Sequence, residues 1–169
     1  YPWLFVRVGA PTSLPGFSAP IDLVYDGANL WVSEGSANRI RKLDVNGTPI
    51  QTVATGATPA YMAYDGANLW VPNTGSHSIT VVQAGSGAVV GTIASNAQNR
   101  LSGPIQAAFD GERILVTNSG NDSVTLFRAA DLSFLANIAL EPGDYPFGAC
   151  SDGVHFWVVL RGSRELLRI

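Results

Sequence analysis

The chain has 169 residues, a formal net charge of −3 and a hydrophobic share of 46%, and only 14% of its residues are charged. This composition predicts one folded domain rather than a disordered chain, and the sparse basic charge argues against a nucleic-acid partner, because phosphate contacts need a basic surface. There is no run of about 18 apolar residues, so we expect no membrane insertion.

The chain contains a repeat. Residues 25–32 recur letter for letter at 64–71, and looser copies begin at Phe109 and Ser151, so the starts lie 39, 45 and 42 residues apart. A period of about 40–50 residues in a strand-rich chain is typical of a β-propeller, in which each repeat forms one four-stranded blade. We therefore predict an all-β propeller with four recognisable blades, at about residues 20–56, 59–95, 104–141 and 146–169.

The first strand of each predicted blade begins after a proline, which suits this position because the missing N–H would otherwise interrupt the hydrogen-bond ladder. The prolines are Pro20, Pro59, Pro104 and Pro146. An Asp-Gly pair then predicts a tight turn, since Gly tolerates a positive φ and Asp bonds its own backbone. These turns account for the four matched aspartates, so we assign no metal site to them.

The second strand of each repeat is the most hydrophobic, which is typical of strands buried between stacked sheets. Trp31, Trp70 and Trp157 occupy one position in this strand, and Leu115 replaces them in the third repeat. We predict that these side chains pack between neighbouring blades. The lone Cys150 lies in an apolar segment and is expected to be a buried core thiol.

The two ends of the chain complement each other. Residues 3–9 resemble an outer, fourth strand, and residues 165–169 resemble a third strand with no fourth after it. If they pair, the N-terminal strand completes the last blade and residues 1–169 form a single propeller domain. Three arrangements satisfy this pattern: a four-bladed ring, a homodimer formed by strand exchange, and a segment of a larger propeller. The sequence leaves all three open.

The repeat resembles that of the bacterial YVTN and NHL-like propellers and, more distantly, the propeller lyase that inactivates streptogramin antibiotics. Residues 69–73 and 114–118 look like the YVTN signature, residues 88–93 look like that family's outer strand, and Ser33-Glu34 is closer to the NHL-like variants. The resemblance covers nearly the whole chain from about Pro20. It implies six or seven blades in a complete member and a role as an extracellular or periplasmic interaction module.

Ligand sites of propellers usually lie at one end of the axis. We use the term loop face for the end that carries residues 33–38, 72–77, 117–122 and 159–163 together with the loops that lead into the next blade. Function tends to concentrate in such loops. Our ligand-binding candidates on this face are Asn73, Arg100, Asn118, Tyr145 and Arg161.

No catalytic residue is assigned. Glu34 and His77 come from nearly matched loops of adjacent repeats and are the pair that could approach each other as an acid–base couple. Two histidines and one cysteine supply little for a transition-metal site, and we find no cofactor motif.

The leading hypothesis is a non-enzymatic module that binds a protein, a peptide or a glycan through the loop face. One alternative is a hydrolase or lyase with a site at the mouth of the axial channel. A second alternative is a structural segment of a larger propeller. The fold alone does not decide between them.

Overall fold

A computed structural model of the protein describes residues 13–169. Within these residues the chain forms fifteen strands and one short 3₁₀ turn at Gly35–Ala37. The strands are β1 Pro20–Tyr25, β2 Leu30–Glu34, β3 Arg39–Leu43, β4 Pro49–Ala54, β5 Ala63–Tyr64, β6 Asn68–Asn73, β7 Ser78–Gln83, β8 Val89–Ala94, β9 Pro104–Phe109, β10 Arg113–Asn118, β11 Ser123–Arg128, β12 Phe134–Ala139, β13 Pro146–Ser151, β14 Phe156–Leu160 and β15 Glu165–Arg168.

Each repeat forms one antiparallel sheet whose strands follow one another in chain order. We number these sheets as blades: blade 1 is β1–β4, blade 2 is β5–β8, blade 3 is β9–β12 and blade 4 is β13–β15. They are arranged around a common axis, which confirms the predicted all-β propeller fold. The predicted N-terminal strand at residues 3–9, which would complete blade 4, lies outside the described residues.

The Asp-Gly turns have the geometry that their sequence predicts. In blade 1, Asp26 Oδ1 accepts hydrogen bonds from the backbone N–H groups of Ala28 and Asn29 at 2.9 and 2.7 Å, and Gly27 has a φ of +96°. The same pair of bonds recurs at the other three turns, at Asp65, Asp110 and Asp152. A carboxylate and a glycine therefore close each hairpin at the end of the molecule opposite the loop face.

Buried apolar clusters lie between successive blades. Trp31 of blade 1 packs with Leu69 and Val71 of blade 2, and Trp70 of blade 2 packs against Phe127 of blade 3 with the ring centroids 6.1 Å apart. A third cluster joins blades 3 and 4 around Leu115, Phe156 and Val158. Trp31 and Trp70 are fully buried, as predicted for side chains that pack between blades.

Blade 4 departs from the predictions at two positions. Cys150 is exposed, so the prediction of a buried core thiol was wrong, and Trp157 is only partly buried. Side chains alternate between the faces of a strand. Ala149 and Val158 point toward blade 3, whereas Cys150 and Trp157 lie on the opposite face, which no described blade covers.

The turn aspartates also bind the matched tryptophans. The Oδ2 atoms of Asp26, Asp65 and Asp152 accept hydrogen bonds from the indole N–H groups of Trp31, Trp70 and Trp157 at 2.8, 2.7 and 2.8 Å. In blade 3, where leucine replaces the tryptophan, Asp110 instead accepts a bond from the Arg113 Nε at 2.7 Å. Each aspartate thus fixes its turn and orients a large side chain of the second strand.

Within residues 13–169 no helix has the length and apolar character needed to cross a bilayer.

Candidate functional site

Two of the predicted ligand-binding residues lie inside the blades. Asn73 and Asn118 are fully buried at the loop-face end of β6 and β10. The Asn73 amide donates to Ser78 and Thr80 on the neighbouring strand at 3.2 and 2.9 Å. Asn118 makes the matching bonds to Ser123 and Thr125 at 3.3 and 2.9 Å. These amides brace the second strand against the third, and we find no surface on them for a ligand.

Glu34 occupies the same position in blade 1. Its carboxylate is fully buried and accepts bonds from Arg39 Nε, from Arg41 Nη2 at 2.7 Å and from the Ser18 amide at 2.7 Å. Burial raises the pKa of Glu34, but the hydrogen bonds from Arg39, Ser18 and Arg41 outweigh it and hold the pKa below its usual value. An ion pair in blade 1 thus replaces the amide and hydroxyl groups of blades 2 and 3.

His77 belongs to a contact that repeats around the molecule. Its Nδ1 accepts a hydrogen bond at 2.8 Å from the backbone N–H of Gly103, just before the first strand of blade 3. At matched positions, Asn38 accepts from the Thr58 amide at 2.9 Å and Asp122 from the Tyr145 amide at 2.7 Å. We call this bond the inter-blade clasp, because it ties each blade to the start of the next.

The backbone at the clasp explains the residue types. Asn38, His77 and Asp122 have φ values of 51°, 51° and 47°, in the left-handed region. Asn, Asp and His are the non-glycine residues most enriched there. We considered His77 and Glu34 as an acid–base couple from their matched loops, but the two side chains bind different partners and share no hydrogen bond in the described structure.

Residues from blades 2 and 4 meet near the axis. The rings of Tyr61 and Phe147 pack edge to face with centroids 5.9 Å apart, and the Arg161 guanidinium lies 5.5 Å from the centroid of the Phe147 ring. We call these three residues the axial group. Backbone bonds fix it: Tyr61 exchanges two 3.0 Å bonds with β9, and the Phe147 carbonyl accepts a 2.9 Å bond from Thr117.

Sequence reasoning found Arg161 but missed Phe147, on which it lies, and Tyr61, which packs against Phe147. The first-strand position held by Tyr61 carries Asp22, Gln106 and Gly148 in the other repeats. A large aromatic ring at a position that is small or polar elsewhere was the available signal. The repeat pattern could not show that Phe147, from the blade after next, would reach that ring.

The remaining candidates form an exposed rim. Tyr145 is 41% exposed, its backbone has a φ of 49°, and it lies directly before Pro146. Arg100 and Arg164 are exposed on the same face. Together with Arg161, these arginines have no hydrogen-bond or ion-pair partner for their guanidinium groups among residues 13–169. The loop face of blades 3 and 4 therefore offers free positive charge although the chain is acidic overall.

Metal-ligating side chains do not converge in the described part of the chain: no group of three His, Cys, Asp or Glu residues there is placed to hold an ion. What the described geometry offers is aromatic surface with cations beside it. Such surface suits recognition of an anionic or ring-containing ligand.

Comparison with solved structures shows the fold. The chain superposes on hydrazine synthase of Kuenenia stuttgartiensis with a TM-score of 0.75 and 20% identity, covering 98% of this chain and 49% of that one. It matches virginiamycin B lyase from Staphylococcus aureus with a TM-score of 0.73 and 16% identity, covering 93% and 57%. It also matches the computationally designed Ika4 protein, with a TM-score of 0.76, 10% identity and coverage of 93% and 94%.

The two natural neighbours are β-propeller proteins, and at such identities they establish architecture alone. The chain spans about half the length of the two natural proteins. No protein-family model and no curated protein sequence matches the chain.

Proposed function

We propose that the chain is a non-enzymatic binding module of the YVTN/NHL-like kind, which takes a protein, peptide or glycan ligand through its loop face. The ligand binds at the axial group and the adjoining rim, and the module works in an extracellular or periplasmic setting. The observation that carries this proposal is the Arg161 guanidinium, which lies over the Phe147 ring and has no hydrogen-bond or ion-pair partner among residues 13–169.

The chemistry of the axial group indicates which class of ligand can bind there. A planar guanidinium presents a fork of N–H donors that matches a carboxylate, and aromatic rings give rigid area for stacking on apolar side chains or sugar rings. Arg100 and Arg164 extend the positive charge along the same face. The ligand therefore carries carboxylate groups next to an apolar or ring surface, as an acidic peptide containing an aromatic residue does.

The hydrolase or lyase alternative has less support. Glu34 is enclosed by two arginines, and the Nδ1 of His77 accepts the clasp bond. A general base needs a free lone pair directed at a substrate proton. The lyase among the structural neighbours is 16% identical to this chain. That identity supports a shared fold and does not support a shared reaction.

The test is a binding titration with defined probes: a peptide rich in glutamate that carries one tryptophan, the same peptide with glutamine in place of glutamate, and oligogalacturonate. We expect the acidic probes to bind and Arg161→Ala to weaken binding by at least about tenfold, as for other central interface arginines. Arg128→Ala is the matched control, because Arg128 is exposed, belongs to β11 and lies at the opposite end of its strand from the loop face.

Equal affinity of the wild type and Arg161→Ala for every probe would refute a site at the axial group. If the glutamine peptide bound as tightly as the glutamate peptide, the proposed recognition of carboxylate charge would be wrong. If no probe binds and a turnover assay for lactone or ester hydrolysis is positive, the enzyme alternative takes its place.

A further inference from the structure

Blade 1 carries an apolar face that no described blade covers; Leu14 and Phe17, from the segment before β1, lie along this face. On this face Leu23 is 57% exposed and Leu30 is partly exposed, and both border an open groove of about 430 Å³. Val32 and Leu43 form part of its floor. Solvent-exposed leucines beside an apolar groove are typical of a surface that packs against something.

Blade 4 carries a second such face, directed the other way around the axis. Trp157 is only partly buried there, and Val159 and Leu166 are 48% and 62% exposed. Cys150 is exposed on the same face. No buried apolar cluster joins blade 4 to blade 1 within residues 13–169.

The two faces are the halves of one interface that the chain already builds repeatedly. Trp157 holds the position of Trp31 and Trp70, each of which is buried against the next blade. Leu23 and Leu30 hold the positions of residues 62 and 69, which receive Trp31 in blade 2. Blade 4 thus presents the inserting half of the contact and blade 1 the receiving half.

A cation beside the indole repeats as well. In blade 1 the Lys42 ammonium lies 5.3 Å from the ring centroid of Trp31 and donates to the carbonyls of Ala84 and Gly85 on blade 2, at 2.9 and 3.3 Å. Arg168 is its counterpart in blade 4 and lies 6.0 Å from the ring centroid of Trp157. Its guanidinium has no hydrogen-bond partner among the described residues, and the carbonyls that match those of blade 2 belong to residues 45 and 46 of blade 1.

One element of the contact is missing. Arg164 stands at the clasp position of blade 4, with a φ of 63°, where the other blades have Asn, His and Asp. A guanidinium has no acceptor atom. It therefore cannot receive the N–H that the clasp binds, and a contact made by this face lacks one bond that the contacts inside the chain possess.

We propose that the free face of blade 4 packs on the free face of blade 1 of a second copy of this chain, and that the reciprocal contact closes a two-fold dimer. Trp157 enters the groove beside Leu23 and Leu30 of the second copy, and Arg168 donates to the carbonyls of its residues 45 and 46. A contact between two different faces forms a closed assembly when the rotation completes the circle. Two copies supply eight blades, within the range of four to eight that propellers use.

Two observations favour a second copy over other occupants. The free face of blade 4 and the free face of blade 1 carry the two complementary halves of the contact that joins successive blades inside the chain. Within one chain, Leu23 and Leu166 stay more than half exposed. The missing clasp makes this contact weaker than the internal ones, so the dimer dissociates on dilution.

Sedimentation velocity of the whole chain tests the proposal. We expect a species of twice the 17.8 kDa chain mass that dissociates reversibly on dilution. Leu23→Arg and Leu166→Arg each place a charge in the contact, so each raises the dissociation constant by at least about tenfold. Val90→Arg is the matched control: Val90 is 52% exposed but lies on β8, an outer strand away from both faces, so dimerisation is unchanged. Circular dichroism verifies that every variant is folded.

Two further outcomes separate the arrangements. In the proposed dimer each Cys150 faces blade 1 of the other copy, so maleimide labelling slows at high protein concentration and mild oxidation yields no disulfide-linked dimer. If two blade 4 faces joined each other, oxidation would produce that disulfide. If two blade 1 faces joined, Leu166→Arg would remain dimeric. Either result would overturn the proposal. A chain that stays monomeric up to about 1 mM would overturn it too. If labelling of Cys150 were then slow at every concentration, the blade 4 face would be covered by residues 1–12 or by blade 1 of the same chain.

Discussion

At the scale of single residues, polar side chains of the types found in active sites form structural hydrogen bonds between blades. His77 is the clearest example, because its ring nitrogen holds the Gly103 N–H and its backbone is left-handed. The same position carries Asn38 and Asp122, which make the same bond with different acceptor atoms. Any short side chain with an acceptor that tolerates a positive φ can fill this place.

The clasp leads to a prediction about His77. His77→Ala removes the acceptor of a buried N–H and puts a residue less suited than histidine to the left-handed region at a φ of 51°, so we expect the free energy of unfolding to fall by about 2 kcal/mol. His77→Asn keeps both properties and should lose less than about 0.5 kcal/mol. Urea unfolding measures both, with His155→Ala as the control at an exposed histidine. Equal losses for the alanine and asparagine variants would show that the clasp does not stabilise the fold.

The turn aspartates lead to a prediction about pH. Burial raises the pKa of Asp26, but bonds from Asn29, Trp31 and Ala28 outweigh it and lower the pKa below its usual value. The same balance, with Arg113 as a donor, lowers the pKa of Asp110. For Asp152, the backbone bond from His155 and the indole of Trp157 lower the pKa far below its usual value.

Because these pKa values are lower in the folded chain, the unfolded chain takes up protons first, near pH 4. The stabilisation is complete above about pH 4 and is lost progressively as the pH falls toward the folded pKa values. We expect the urea midpoint to be level between about pH 5 and 7 and to drop steeply below about pH 4. Asp26→Asn should make that drop shallower, and an unchanged slope would contradict the assigned role of its carboxylate.

At the scale of elements, the blades use different residues for the same purpose, which is to join the second strand to the third near the loop face. Blades 2 and 3 use an asparagine with two hydroxyl groups, at Asn73 and at Asn118. Blade 1 uses Glu34 with Arg39 and Arg41. Blade 4 has Leu160 at this position, buried in the cluster with blade 3.

This equivalence leads to a prediction about exchange. Glu34→Gln leaves two arginines without their carboxylate, one of them only 11% exposed, so we expect a loss of about 2–3 kcal/mol in the free energy of unfolding. The triple variant Glu34→Asn, Arg39→Ser, Arg41→Thr gives blade 1 the residues of blades 2 and 3. It should recover at least half of that loss in the same urea measurement. A triple variant less stable than Glu34→Gln would show that the blades are not interchangeable here.

The strands and turns could be read from the sequence because their signals are local. Proline, Asp-Gly and the alternating apolar residues act within a single blade, and the structure places β1, β9 and β13 at the expected prolines. The Asp26–Trp31 bond was not predicted, although Trp follows the turn aspartate by five residues in three repeats and Leu115 holds that position in the third. The pattern shows the spacing but gives no hint of the bond.

At the scale of the whole molecule, the missed features depend on which blades adjoin. Cys150 and Trp157 have the same sequence surroundings as buried residues elsewhere in the chain, yet they lie on a face that no described blade covers. Tyr61 and Phe147 are 86 residues apart in the chain and meet near the axis. Periodicity defines the two faces of every blade, and only the assembled molecule defines what lies against each face.

The central claim is that the repeats form blades with Trp31 and Trp70 enclosed between them, and indole hydrogen exchange tests it most directly. With ¹⁵N-tryptophan labelling and Trp→Phe variants for assignment, we expect the indole N–H groups of Trp31 and Trp70 to exchange slowly in dilute protein. The partly exposed Trp157 should exchange faster. Fast exchange at Trp31 and Trp70, at the rate of Trp157, would contradict the account.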